Sequence, residues 1–309
     1  MKVVEVVIPL LNEYESFHEL AERLKNVQKE LTSEKIKLII LFVNDGSDKE
    51  FKDILKNYSQ KNKDFKTINL TRNFGHQVAI RAGIDISTAD AVILMDGDLQ
   101  DPPEIIPDLV EHWRSGYDHV VCVREERKRE SFFKKLTAKY FYKVFNKFAN
   151  FEVNVNAGDF RLLDKWIVDE ISRVKEFNLY IRGFADSLGG NVKKIYYVRE
   201  PRYAGKPKYN YIQSTKLAIN GLFSLTDVFS KILNWLLFLS LLITFGLVIY
   251  IFISYLFFNS SLMSGWVSVM MVLMLMLLIQ ILTFIYISFN LTKINHQTAG
   301  RKNYQIEDQ

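Results

Sequence analysis

Ala91-Val92-Ile93-Leu94-Met95-Asp96-Gly97-Asp98 decides the fold: five apolar residues run directly into two carboxylates separated by one glycine. A short apolar run closed by a polar turn reads as a buried strand whose carboxyl end carries the chemistry. Three upstream segments repeat the pattern. Val3 to Leu10 ends in Asn12-Glu13, Lys37 to Val43 in Asn44-Asp45-Gly46-Ser47-Asp48, and Lys66 to Leu70 in Thr71-Arg72-Asn73-Phe74-Gly75. Helical patterns separate them, at Ser16 to Thr32, Lys49 to Asn62 and His76 to Ile86. Strand and helix in alternation predict a parallel sheet covered on both faces, an α/β fold. Ligands of such sheets bind beyond the carboxyl ends of the strands, so four polar loops are expected to meet on one rim.

The chain changes character after residue 231. It is 24% charged overall, yet Ile232 to Thr292 contains no Asp, Glu, Lys, Arg or His. Two apolar runs in that stretch, 233–258 and 266–289, each exceed the roughly 20 helical residues that cross a hydrocarbon core. They predict a two-helix transmembrane hairpin within 232–292. The loop between them is uncharged, whereas lysines and arginines flank the pair on the outside, which predicts both termini on the cytoplasmic side. The segment before them, 211–231, reads as interfacial juxtamembrane helices, and 293–309 as a cytosolic tail. Residues 1–210 form a cytosolic domain in this division. The chain opens on an apolar strand and shows no signal-peptide pattern.

The net charge of +5 is concentrated between Arg124 and Lys147, where nine basic residues accompany three acidic ones. Phe133, Leu136, Tyr140, Val144 and Phe148 recur there at helical spacing among lysines. That pattern suits an anionic membrane surface, or a solvated helix packed on the core, better than nucleic acid. The single cysteine, Cys122, excludes an intramolecular disulfide and reads as a core residue.

Asp-x-Asp is by itself a common turn. Its chemical use would be to hold Mg²⁺ or Mn²⁺, which prefer oxygen ligands and are commonly bound by one or two carboxylates plus substrate phosphates. Such an ion stabilises charge on a departing diphosphate. Val7-Ile8-Pro9 with Asn12-Glu13, the Asn44 to Asp48 loop, Asn73-Phe74-Gly75-His76-Gln77, Asp96 to Glu104 and Ala157-Gly158-Asp159-Phe160-Arg161-Leu162 occur together and in order. Together they resemble family 2 glycosyltransferases, in particular the polyprenyl-phosphate glycosyltransferase group that includes dolichyl-phosphate mannose synthase and bacterial undecaprenyl-phosphate glucosyltransferases.

The resemblance implies a GT-A (Rossmann-like) catalytic domain. In it, Pro9, Glu13, Asp45 and Asp96 would bind the nucleotide-sugar, while Asp98, with Asp96 and Gln100, would hold the metal. Asp159 would lie beside the reacting centre, where Asp98 also acts. Arg202 and Lys208 fall in a segment resembling the family's phosphate-binding loop, and Arg124, Arg127, Arg129 and Arg182 are further candidates for the acceptor phosphate or the diphosphate. Gly97 stands where alanine is usual in the family, and Pro207 where a hydroxyl residue is commoner.

The resemblance further implies inverting transfer of one sugar from a nucleotide-sugar, UDP-glucose first, to undecaprenyl phosphate, for cell-envelope glycan modification. The expected location is the bacterial inner membrane, with the catalytic domain cytoplasmic. Other donors (UDP-GlcNAc, amino-arabinose or GDP-mannose) stay open, and self-association, up to a tetramer, is implied by resemblance only. A lipid monophosphate has a second pKa of about 6 and is already nucleophilic at neutral pH, so Asp159 is expected to position groups or act as a weak base. A polysaccharide synthase is disfavoured because Gln-x-x-Arg-Trp is absent, and a non-catalytic scaffold because Asp45, Asp96, Asp98 and Asp159 are intact. No HExxH, CxxC, GxSxG or first-strand GxGxxG occurs, which removes support for hydrolase and dinucleotide-dependent readings. His76 is expected to serve structurally at a helix start.

Overall fold

The computed structural model describes residues 1–125, 157–174, 179–199, 265–298, 303–307 and part of 234–253. The chain divides into two compact units, residues 1–225 with 301–309, and residues 226–300.

The first unit is built on seven strands: β1 Lys2–Leu10, β2 Ile36–Asn44, β3 Phe65–Asn69, β4 Ala91–Leu94, β5 His119–Arg124, β6 Ala157–Asp164 and β7 Val192–Tyr197. They are ordered β3-β2-β1-β4-β6-β5-β7 across one sheet. The first four pair in parallel, as the alternating pattern predicts. The second half departs from it, because β6 runs antiparallel to both β4 and β5. One reversed strand therefore sits inside an otherwise parallel sheet, and its beginning, not its end, reaches the rim where the others finish.

Helices cover both faces, as strands buried on two sides require. Val4, Val6, Ile8 and Leu10 of β1 pack with Phe17, Leu20 and Leu24 of α1 (Tyr14–Ser33), Phe51 and Leu55 of α2 (Lys49–Lys61) and Leu109 of α4 (Ile106–Arg114). The alternate residues Val7, Leu41 and Val43 face the opposite layer. There they meet Ala79, Ile80 and Ala82 of α3 (His76–Ile86), Ile167 and Ile171 of α5 (Lys165–Arg173), and Ile181 of α6 (Ile181–Ser187). Cys122 is fully buried in the first layer, as expected.

The strand-end loops are stitched to one another. The Asn12 amide donates to Ser47 Oγ (3.0 Å), and the Asp48 amide to Asn12 Oδ1 (3.1 Å). Asp48 then caps α2 by accepting from the Phe51 amide at 3.0 Å. Ser16 Oγ at the start of α1 donates to the Gly97 carbonyl at 3.1 Å, which fixes the Asp96-Gly97-Asp98 turn against the first loop. Gly46 adopts φ +73°, and a Cβ there would lie 2.3 Å from Arg72 C and Asn73 N, so the second and third loops touch through backbone. Asn12 (φ 51°) and Leu99 (φ 57°) also take left-handed conformations. For the buried Leu99, just beyond Asp98, this is backbone strain of the kind functional turns retain.

In the second unit, α7 spans Trp266–Thr298. Many of its large apolar side chains are exposed, Leu273, Met274, Leu278, Phe284 and Ile285 among them. Among the described residues no helix is both long and apolar enough to cross a membrane. Nearly half of the expected first span 233–258, together with all of 211–231 and the expected basic helix around 133–148, lies outside the described residues.

Gly46→Ala cannot be relieved by a rotamer change, because the obstruction is backbone and φ is positive. We expect it to lower the unfolding free energy by at least ~2 kcal/mol, read from denaturant midpoints of the purified protein.

Candidate active site

Asp96 follows β4 and reaches the rim; Asp159 lies near the start of β6 and reaches the same rim because that strand is reversed. Between them stands His76, the first residue of α3, placed by Gly75 at φ +100°. His76 Nε2 is 3.3 Å from Asp96 Oδ1 and 3.2 Å from Asp159 Oδ2. The expectation of a merely structural histidine is therefore corrected: its ring bridges the two acids. Sequence spacing could not show this, because the carboxylates come from elements 63 positions apart.

Burial by itself would depress the His76 pKa, but the Asp96 and Asp159 carboxylates outweigh it and hold it well above the ordinary value of 6.5. Burial likewise pushes both acids toward neutrality and is overcome. His76 lowers Asp96, against repulsion from Asp159. Arg182, together with His76, holds Asp159 far below the usual carboxylate range.

Asp159 is fully engaged. Arg182 Nε lies 2.9 Å from its Oδ1, and Gln77 Nε2 donates to both oxygens at 3.4 and 3.3 Å. Behind it, the wholly buried Arg161 donates to the Gly158 carbonyl at 3.1 Å and the Arg182 carbonyl at 3.3 Å, and pairs with Asp186 at 3.0 Å. Arg161 thereby ties the beginning of β6 to the beginning of α6, so Asp159 and Arg182 are presented together. His119 beside it is buried and held well below the ordinary histidine pKa, by desolvation and by the Arg161 charge.

A second ionic group extends the rim. Asp101 is completely buried; the Tyr197 hydroxyl donates to it, and Arg124 and Arg199 stand 3.7 and 3.8 Å away. Burial and the nearby Asp96 charge raise its pKa against these cations. Arg124 crosses closely above Gly158, where a Cβ would lie 2.5 Å from its Nη2. Arg124 and Arg182 thus belong to the site. Arg127, Arg129, Arg202 and Lys208 lie outside the described residues.

Asp45 is buried and accepts from the Phe74 amide at 2.8 Å and the Gly75 amide at 3.0 Å, so it organises the third loop from within. Glu13 closes the first loop at the start of α1, and Pro9 is buried in β1. The Asp98 carboxylate accepts from the Gln100 amide at 3.1 Å, which tightens the turn. Gly97 packs on Leu10, whose Cδ2 would lie 2.4 Å from an added Cβ.

The turn's donor set fits a hard divalent cation. Asp96 and Asp98 flank Gly97, and Asp96 Oδ1 is buried with His76 Nε2 3.3 Å away. Among the described residues, the side-chain donors that converge within 4.8 Å are His76, Asp96 and Asp159; Asp98 lies outside that group.

Loops converging at the carboxyl edge of a mainly parallel sheet bring paired carboxylates and the arginines Arg124 and Arg182 to the rim where ligands of such sheets bind. Residues 5–172 match glycosyl transferase family 2. The chain is 36% identical over 304 residues to an uncharacterized glycosyltransferase of Bacillus subtilis, YkcC, covering 98% of this chain and 92% of that protein. It is 40% identical over 234 residues to an uncharacterized glycosyltransferase of Synechocystis, covering 75% and 72%. To the prophage bactoprenol glucosyl transferase homolog of Escherichia coli it is 36% identical over 221 residues, covering 72% and 71%. This chain belongs to glycosyl transferase family 2 and is a glycosyltransferase.

A raised histidine pKa stabilises the fold fully below the unfolded value and ceases to do so as pH rises through the folded value. In metal-free protein, the excess stability of wild type over His76→Gln is expected to be greatest below about pH 6.5. It should shrink steadily toward alkaline pH, as followed by thermal unfolding across a pH series.

Proposed function

We propose that this enzyme transfers one sugar, glucose from UDP-glucose in the first instance, to a polyprenyl phosphate at the cytoplasmic face of a bacterial membrane, with inversion and with a divalent cation. The observation that carries the reading is Asp159 held ionised yet wholly occupied by Arg182, His76 and Gln77, in a chain related to proteins named bactoprenol glucosyl transferases.

A phosphate monoester needs no strong base. Its oxygen attacks the anomeric carbon, the bond from that carbon to the diphosphate breaks, and the electron pair leaves with the nucleoside diphosphate. What the site must supply is alignment of two anionic substrates and countercharge for the leaving group. Arg182 and Arg124 offer countercharge, and Asp159 holds Arg182 and His76 in register. Mg²⁺ or Mn²⁺, which Asp96 and Asp98 would hold with Gln100 nearby, supplies electrophilic stabilisation of the diphosphate when bound.

The uncharged stretch 232–292, with cations on both flanks, supports a membrane hairpin that keeps both termini in the cytoplasm. A bilayer-held site suits an acceptor whose phosphate lies at the interface. The product would be a lipid-linked sugar for envelope glycan modification. GDP-mannose, UDP-GlcNAc and amino-arabinose donors are the alternatives to test beside UDP-glucose, and self-association is a further proposal.

Membranes containing the enzyme, given labelled nucleotide-sugars, undecaprenyl phosphate and Mg²⁺ or Mn²⁺, should form a chloroform-soluble labelled product. Label passing only to protein or polymer would sink the reading. Asp98→Asn should reduce the rate at least about a hundredfold. Asp159→Asn should lower kcat while leaving in place an acidic limb near pH 6, which belongs to the acceptor phosphate. A limb that disappears in that variant would make Asp159 the base instead.

A further inference from the structure

Past the helix α7, the chain returns to the first unit: residues 303–307 lie along the outer edge of the sheet, beside β3. Leu70 and Ile306 form an antiparallel bridge. The Thr71 amide donates to the Gln305 carbonyl at 3.0 Å, and the Glu307 amide to the Asn69 carbonyl at 2.8 Å. Tyr304 is buried in the α3 layer, and its hydroxyl donates to Asp85 at 3.0 Å. Lys52 of α2 pairs with Glu307.

Both backbone bonds fall on residues that lead straight into the site. Asn69, held by the Glu307 amide, accepts from Asn44 Nδ2 at 2.7 Å through its own side chain, and Asn44 Oδ1 in turn accepts from the Ser47 amide at 3.0 Å. That path ends in the Asp45 loop. Thr71, held by Gln305, begins the loop whose Phe74 and Gly75 amides bind Asp45 and whose next residue is His76. Without the tail, the outer side of this strand end would present unpaired backbone groups at the base of a functional loop.

We propose that the C-terminal tail is a positioning strand for the donor site: it pairs with the end of β3 and so holds the Asp45 and Thr71–His76 loops in their binding geometry. The proposal rests on the reading of those loops as the nucleotide-sugar site. It assigns a role in donor binding to residues more than two hundred positions from that site, in a segment that follows the apolar stretch.

Glu307→Pro in the full chain removes the amide that Asn69 accepts, whereas Glu307→Ala keeps that amide and loses only the ion pair with Lys52. Affinity for uridine and guanosine diphosphates with Mg²⁺, measured by calorimetry, and donor KM and kcat are the readouts. Hydrogen exchange of the Phe74 and Gly75 amides is followed in parallel. Glu307→Pro should raise Kd and donor KM three- to tenfold with kcat little changed, and speed exchange at both amides. Glu307→Ala should stay within twofold of wild type, and Tyr304→Phe should shift Kd in the same direction as the proline variant. Unchanged Kd and exchange in Glu307→Pro, or a lowered melting temperature with unaltered Kd, would refute the positioning role. Failure of the wild type to bind either diphosphate overturns the donor-site reading and the proposal with it, whereas binding that ignores the tail overturns the proposal alone.

Discussion

Asp96, partly buried, and Asp159, buried, are carboxylates that repel one another; the His76 imidazole stands between them, and Arg182 gives Asp159 its main countercharge. Everything else at the rim serves that arrangement. Asp45 binds the amides just before His76 and so fixes where α3 begins; Arg161 fixes where β6 and α6 begin. Loss of His76 or Arg182 would leave a buried carboxylate without sufficient compensation, which is the costly half of any buried ion pair.

Stability and function draw on the same contacts. Gly46 lets two loops touch through backbone, Gly97 lets the Asp96-Gly97-Asp98 turn pack on Leu10, and Leu99 holds a left-handed conformation just beyond the turn. Each is a local cost that the surrounding core over-determines. Asp101 adds an acid sealed among Tyr197, Arg124 and Arg199, and it keeps those arginines beside the rim. Arg124, Arg182 and Arg199 are thereby held against carboxylates at the rim.

Much of the architecture was legible in the chain itself. Apolar strands ending in polar loops gave the four parallel strands and their common rim, because strand direction and the location of loop chemistry follow from alternation with helices. The order of five motifs matched the family to which the chain belongs. Residues 232–292 were readable as apolar from composition alone, which underlies the proposed membrane hairpin. Asp101 stood in plain view within the Asp96 to Glu104 motif, yet nothing local indicates that two arginines and a tyrosine enclose it.

What the sequence by itself determined is the set of chemical groups and the rim on which strands β1 to β4 deliver them, for these depend on short-range periodicity. Tertiary structure alone decided which groups meet. The reversal of β6 carries Asp159 to the rim, a reversal set by pairing between strands far apart in the chain and by no local signal. It also turned His76 from a helix-start residue into the bridge between two acids, and brought residues 303–307 back to pair with β3. Long-range pairing is specified by the whole core at once, so its consequences for the site become visible only after the chain has folded.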